Sequence, residues 1–309
     1  MGRLQIRRST NNEGQDVIMK IGWIGTGVMG ASMAGHVQDT GHELFIYNRT
    51  KEKAKALLEK GGTWRNTPGE VAESSEVIFT IVGMPADVEE VYLGKEGVLS
   101  AEGPCRIVVD MTTSSPSLAK ELYDEASKKG IASLDAPVSG GDIGAKNGTL
   151  AIMVGGDKEI LDKIYPLFQC MGENIAYMGG PGMGQHTKMC NQILVAGTMI
   201  GVSESLLYAA KQGMDEAKVI DIIGKGAASS WLINNLGPKI AMKNYDPGFY
   251  VEHFIKDMGI ALKEAETSNL SLPGLALLHQ LYVSVKALGY GRSGTQALIL
   301  ALKKINGML

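Results

Sequence analysis

The chain has 309 residues, 44% of them hydrophobic and 20% charged, with a formal net charge of −3. That length suits two domains with proper cores, and the composition excludes a largely disordered chain. No basic excess marks nucleic acid or an anionic membrane surface as the partner. The three cysteines, Cys105, Cys170 and Cys190, show no CxxC or Cys/His spacing. This argues against a disulfide framework or a metal site and fits a reducing, cytoplasmic setting. No uninterrupted apolar run reaches the ~18 residues of a membrane span.

Residues 1–18 are polar and lack the apolar centre of a signal peptide, so they read as a disordered tail or as an extra stretch from an upstream start, Met19 opening the first structured segment. From Met19 onward the pattern alternates. KIGWIG (20–25) reads as a short buried strand, followed by a helix from about Met29 to Asp39. ELFIY (43–47) is a strand, KEKAKALLEK (51–60) a charged helix, VIFTIV (77–82) a buried strand and DVEEVYL (87–93) a helix. RIVVD (106–110) is a strand and residues 115–130 a helix, and strands follow at 131–136, 149–155 and 174–178. This alternation predicts parallel βαβ units in an open, doubly wound sheet. Beyond Gly179 to Gly184 strand signals nearly vanish, and helices are expected at 184–212, 215–224, 251–268, 273–288 and 294–305.

The segment GWIGTGVMGASMAGH (22–36) holds Gly25, Gly27 and Gly30 as G-x-G-x-x-G, after a strand and opening a helix. In that setting the first glycine permits a tight turn. The second lets the backbone approach a pyrophosphate, and the third lets the helix pack on the sheet. The helix N-terminus adds N–H groups and a partial positive charge. Gly25, Thr26, Gly27, Val28, Met29 and Gly30 are therefore candidate cofactor contacts. The next strand ends in Tyr47-Asn48-Arg49-Thr50, with no carboxylate at Tyr47 or Asn48 to take the ribose 2′-hydroxyl of NAD. Arg49 can pair with a 2′-phosphate instead, and Asn48 and Thr50 can add neutral hydrogen bonds. The run favours NADP over NAD; a solvated turn arginine is the plain alternative.

A second glycine cluster, DAPVSGGDIGAKNGTLAIMVGG (135–156), follows a strand and so lies at a carboxyl edge of the sheet, where ligands bind. Ser139, Gly140 and Gly141 can present a hydroxyl and backbone N–H groups to a carboxylate; a flexible loop is the alternative. In GPGMGQHTKMCNQILVAG (180–197), Lys188 and Asn191 share a helix face, with Gln192 nearby. Lys188 sits in a largely apolar segment at the domain boundary. Partial desolvation there would lower its pKa from ~10.4 toward ~7–8, a range that suits acid–base work. In FYVEHFIKDMGIALKEA (249–265), Lys256 is a candidate cofactor or substrate contact held by Asp257, or one half of a surface pair. His186 and His253 are not at metal-ligand spacing and read as polar helix residues. Nothing near Cys190 activates it, so it reads as a buried thiol. Trp231 is a candidate pocket or core residue.

The motifs GWIGTGVMG, DMTTSSP (110–116), DAPVSGGDIGAKNGTL, GMGQHTKMCNQ and FIKDMGIAL occur in order between about Met19 and Leu309. Together they resemble the β-hydroxyacid dehydrogenase family. The resemblance implies an α/β fold: a Rossmann-type doubly wound domain over 19–181 and an all-α substrate and oligomerisation domain over 182–309, joined by a long helix. It implies hydride transfer between NADP(H) and a small β-hydroxyacid or semialdehyde carboxylate, such as glyoxylate or succinic semialdehyde. By motif match, Lys188 is the acid/base with Asn191 as its helix partner, and Ser139-Gly140-Gly141 is the substrate loop. Thr113, Met84, Pro85 and Lys256 match cofactor-contacting positions. The tyrosine-asparagine-arginine-threonine run is closer to the NADPH-dependent reductases. A homodimer or homotetramer is implied through the helical domain. Gln192 departs from the family's second asparagine. NAD-dependent 3-hydroxyisobutyrate or tartronate semialdehyde chemistry is the alternative; Lys188 weighs against a non-catalytic NADP-binding protein and against an imine reductase.

Overall fold

A computed structural model describes residues 18–309, so the tail reading lies outside the described residues except at Ile18. The chain divides into two compact units between Lys188 and Met189, inside one continuous helix. The expected domain boundary is 181/182.

The first unit runs β1 (Lys20–Ile24), α1 (Gly30–Gln38), β2 (Glu43–Tyr47), α2 (Lys55–Glu59), β3 (Thr63–Trp64), α3 (Pro68–Ala72), β4 (Val77–Thr80) and α4 (Pro85–Leu93). It continues through β5 (Ile107–Asp110), α5 (Pro116–Ser127), β6 (Ala132–Asp135), β7 (Val138–Ser139), α6 (Gly141–Asn147), β8 (Leu150–Gly155), α7 (Lys158–Gln169) and β9 (Gly172–Gly179). Helix α8 (Met183–Lys211) then begins in the first unit and ends in the second. The strand order is β3-β2-β1-β4-β5-β6-β8-β7, with β9 paired to β8. Every pair from β3 to β6 is parallel. Beyond β6 the expectation of parallel units holds only in part: β9 runs parallel to β8, while β8 runs antiparallel to both β6 and β7. There the chain turns back through the short helix α6, without the long crossover that a parallel neighbour needs.

The central strands are buried on both faces, which is why they read as unbroken apolar runs. Alternation sorts them cleanly. Trp23, Phe79 and Val109 enter one core with Met33 and Phe168, while Ile24, Ile78 and Val108 enter the other with Val88 and Leu122. Helix starts follow local chemistry. Thr67 accepts the Glu70 N–H and Ser115 accepts the Leu118 N–H, each just before a proline at the first helical position.

The second unit continues α8 and adds α9 (Glu216–Ile223), α10 (Trp231–Asn235), α11 (Gly237–Ala241), α12 (Val251–Thr267), α13 (Pro273–Val285) and α14 (Leu298–Ile305). Among the described residues α8 is long and apolar enough to cross a membrane by length and composition alone. It carries Met189, Ala196, Met199, Val202 and Leu206 into a core shared with Phe254, Met258 and Tyr282.

Candidate active site

The strand order reverses between β1 and β4, and the chain leaves both strands at their carboxyl ends there, the place where open α/β sheets bind ligands. Gly25 follows β1 with φ of +100°, and a Cβ on it would overlap the Ile81 carbonyl oxygen that leaves β4. The turn is pinned from three sides. Gly25 N–H donates to Tyr47 O at 3.0 Å, and the buried Trp23 indole donates to Gly25 O at 2.9 Å. Thr26 N–H donates to Asn48 Oδ1 at 3.0 Å. Gly30 opens α1 so close to the turn that a Cβ would meet the Gly25 carbonyl. Gly27 differs: a Cβ there would have nothing within 4 Å. Beside it Val28 is exposed, and the buried Thr26 Oγ1 has no hydrogen-bond partner among the described residues.

These features fit a dinucleotide. The open backbone at Gly27, the first turn of α1 behind it and an unmatched buried hydroxyl form a cradle that the protein itself does not fill. The expected ribose end is arranged differently from the sequence reading in one respect. Asn48 spends its amide inside the protein, accepting from Thr26 and donating to Thr50 O at 2.8 Å, so it braces the glycine turn. Arg49, largely exposed, pairs with Asp87 at 2.9 Å. Asp87 also accepts the Met84 N–H at 3.0 Å at the start of α4, where Pro85 takes the first position. The Thr112 hydroxyl accepts the Val82 N–H at 3.0 Å, which places Thr113 next to the end of β4. Sequence reasoning missed Asp87 and Thr112, because each acts through a partner at least 30 residues away.

The second glycine cluster is not a flexible loop. Val138 and Ser139 form β7 and pair with Ile152 and Ala151 of β8. Gly140 and Gly141, with φ of +134° and +65°, then turn the chain into α6. His36 of α1 holds the far end of α6, with Nε2 at 3.0 Å from Ala145 O and 3.1 Å from Lys146 O. Both partners are carbonyls, so that nitrogen carries the proton and donates. Lys188 is 7% exposed, and its Nζ donates to Val138 O at 2.8 Å. The amine and Ser139 thus meet along a single peptide of β7, and Lys188 is not a solvated helix lysine. The start of α8 is fixed by Asp135, which accepts from the N–H groups of Gly182 and Gln185 at 2.8 Å each. Burial pushes the Asp135 carboxyl up to about 6, against the opposing pull of those donors.

In the second unit the polar residues form one chain. Asn191 Nδ2 donates to Gln192 Oε1 at 2.7 Å, and Gln192 Nε2 donates to Asp257 Oδ2 at 2.6 Å. Asp257 also pairs with Lys256 at 3.1 Å, and the two side chains are only 1% and 10% exposed. The surface-pair alternative for these residues is therefore set aside. Gln192 is the link in the chain. Trp231 is 59% exposed at the start of α10, which removes its core reading. The expectation that Cys190 is buried is also corrected: it is exposed, whereas Cys105 and Cys170 are buried. Two residues past Lys188, the helix has turned about 200° away from the buried face. His253 packs edge-on against the rings of Phe249 and Tyr250, and burial lowers its pKa. Among the described residues no cluster of His, Cys, Asp and Glu is suited to a metal ion.

The architecture and the glycine turn define a dinucleotide-binding protein. Residues 20–179 match the model of the NAD binding domain of 6-phosphogluconate dehydrogenase, and residues 182–302 that of the NAD-binding domain of NADP-dependent 3-hydroxyisobutyrate dehydrogenase. The chain is 51% identical over 290 residues to the probable 3-hydroxyisobutyrate dehydrogenase-like 1 of Arabidopsis thaliana, covering 94% of this chain and 86% of that one. It is 38% identical over 285 residues to the 2-hydroxy-3-oxopropionate reductase of Escherichia coli, covering 92% and 97%. The Mycobacterium tuberculosis 3-hydroxyisobutyrate dehydrogenase solved with L-serine aligns at a TM-score of 0.84 and 27% identity, over 93% of this chain and all of that one. The chain belongs to the β-hydroxyacid dehydrogenase family. It is an NAD(P)-dependent enzyme acting on a small-molecule substrate.

Proposed function

We propose that the enzyme interconverts a small semialdehyde or keto-aldehyde carboxylate and its hydroxyacid with NADP(H), with glyoxylate and succinic semialdehyde as the first substrates to test. One observation carries the reading: the Lys188 amine is withdrawn from solvent and held 2.8 Å from the Val138 carbonyl, directly beside Ser139. When bound, the nicotinamide supplies hydride to the carbonyl carbon or takes it back. Lys188, as ammonium, gives its proton to the oxygen that becomes the hydroxyl; as neutral amine it removes that proton in the reverse direction. The Val138 carbonyl orients the amine. Ser139 and the backbone at Gly140 and Gly141 hold the substrate carboxylate. Asn191, braced by Gln192, steadies the amine or the substrate oxygen. Lys256, fixed by Asp257, contacts the cofactor.

Arg49 and the lack of a carboxylate at Tyr47 and Asn48 support NADP, as does the NADP-dependent character of the matched C-terminal model. The second reading, NAD, draws on Asp87, whose carboxylate lies 2.9 Å from Arg49 and offers an acceptor to a ribose hydroxyl. The exposed side chains of Leu194 and Tyr208 on α8 support assembly through the helical unit. The deciding experiment compares kcat/KM for glyoxylate, succinic semialdehyde, tartronate semialdehyde and methylmalonate semialdehyde with NADPH and with NADH. Turnover of none of them with either cofactor overturns the reading.

A further inference from the structure

The segment from Asp135 to Ser139 grips helix α8 twice, about one turn apart. The first grip is the Asp135 carboxylate. One oxygen accepts from Gly182 N–H and the other from Gln185 N–H, both at 2.8 Å. The second is the Val138 carbonyl on the Lys188 amine at 2.8 Å. Between them Gln185, with no exposed surface, ties the same turn to the loop after β5. Its Nε2 donates to Thr112 O at 2.7 Å and its Oε1 accepts from Ser114 N–H at 3.0 Å. That loop is itself fixed, because Thr112 N–H donates to Asp110 Oδ1 and the Thr112 hydroxyl accepts from Val82 N–H, each at 3.0 Å.

The packing leaves no slack. A Cβ on Gly184 would overlap the Met153 carbonyl and crowd Asp135. One on Gly155 would press on Asp135 Oδ1 and on the backbone nitrogens of Met183 and Gly184. A carboxylate is the group this site calls for, since two separate N–H donors converge on its two oxygens. An amide would present its own N–H to one of them. Keeping a charge buried there runs against desolvation, so a neutral cap would serve a helix start at lower cost. What the charge adds is a fixed register of the first turn of α8, and the catalytic amine stands on the turn that follows.

We propose that Asp135 and Gln185 are positioning residues for proton transfer: they set where the Lys188 amine stands relative to Ser139 by locking the first turn of α8 to the ends of β5 and β6. The proposal rests on Lys188 being the proton donor. The amine needs this outside help because its own stem is long and flexible, and an error of about 1 Å at a reacting group can cost about a hundredfold in rate.

The test uses the full chain with glyoxylate, succinic semialdehyde and NADPH. Gln185→Met keeps the volume and removes both side-chain hydrogen bonds; Asp135→Asn removes one of two acceptors; Gln185→Glu restores an acceptor for Ser114. Expected for Gln185→Met and Asp135→Asn is a fall in kcat of about ten- to a hundredfold. The NADPH dissociation constant stays within about twofold, and the solvent deuterium isotope effect on kcat rises as proton transfer becomes limiting. Gln185→Glu regains part of the rate. The proposal is overturned if both variants keep kcat within about threefold of the parent. It is equally overturned if kcat falls with an unchanged isotope effect, since a mere loss of folded enzyme does that. Lys188→Met, run in parallel, separates the two layers. If it still turns over, the proton-donor reading itself fails. If it is inactive while Gln185→Met and Asp135→Asn are both normal, only the positioning role fails.

Discussion

Gly27→Ala separates the cofactor cradle from the fold in a way no other glycine of the fingerprint allows. A methyl at Gly25 or Gly30 strikes backbone, and Gly25 also needs its φ of +100°, so those substitutions damage the turn itself. At Gly27 the methyl meets nothing within 4 Å, and the residue is not among those with positive φ. Removing a glycine from the unfolded ensemble at such a position stabilises a protein by about 0.4–1 kcal/mol. The apoenzyme's thermal midpoint should therefore stay level or rise by roughly 1–4 °C. The same methyl occupies space that the backbone keeps open toward the pyrophosphate. Loss of one close charge-assisted contact raises the NADPH dissociation constant about tenfold or more, about 1.4 kcal/mol. Fluorescence titration with NADPH and differential scanning fluorimetry of the apoenzyme read the two effects on one sample. An unchanged affinity would show that the phosphates do not approach Gly27. A midpoint lowered by several degrees would show that the space is not open.

Lys188→Met should keep NADPH affinity and lose about 10²–10⁴-fold in kcat, and stopped-flow turnover checks both. Arg49→Ala should lower kcat/KM with NADPH by about five- to tenfold and leave NADH nearly unchanged; its exposure and its pairing with Asp87 keep the effect at the small end for a charge-assisted contact. An equal loss with both cofactors would remove Arg49 from 2′-phosphate recognition. Asp135 gives a pH test. Its folded pKa of about 6 lies above the usual 3.8, so its contribution to stability is full below about pH 4 and is lost as pH rises through 6. Relative to Asp135→Asn, the wild type should gain roughly 1 kcal/mol between about pH 7 and about pH 5. Urea unfolding of the first unit, followed at the buried Trp23, measures it, and a difference that stays flat with pH contradicts the assignment.

The central sheet was legible because VIFT and IVVD are buried on both faces, and a strand buried twice has no polar residue to interrupt its pattern. The glycine turn was legible because its geometry is local: the residues that make the tight turn and the open cradle lie within one short stretch. Helix α7 was not, since Pro166 sits inside it and reads as a breaker. Nor were β7 and α6, where a two-residue strand and a glycine-flanked helix hide in what reads as loop. Pairing with β8 holds the first and His36 caps the second, and neither partner is adjacent in sequence.

The same distinction divides the site. Lys188 could be singled out from a helix face and an apolar neighbourhood, which are properties of adjacent residues. Its actual constraint comes from Val138 and Asp135, both about 50 residues earlier, through a main-chain carbonyl and two main-chain N–H groups. A main-chain carbonyl has no residue type, so no reading of side chains finds Val138. Asp135 does carry a type, and it stands at a strand end three residues before the carbonyl that holds the amine. Had the motif been read as a bracket for the lysine helix as well as a loop for the substrate carboxylate, its aspartate would have been a candidate from the start. Under the proposed function both jobs fall to one segment. A substitution anywhere from Asp135 to Ser139 is therefore expected to disturb proton transfer and substrate binding together, whereas changes at Gly27 or Arg49 disturb cofactor binding alone.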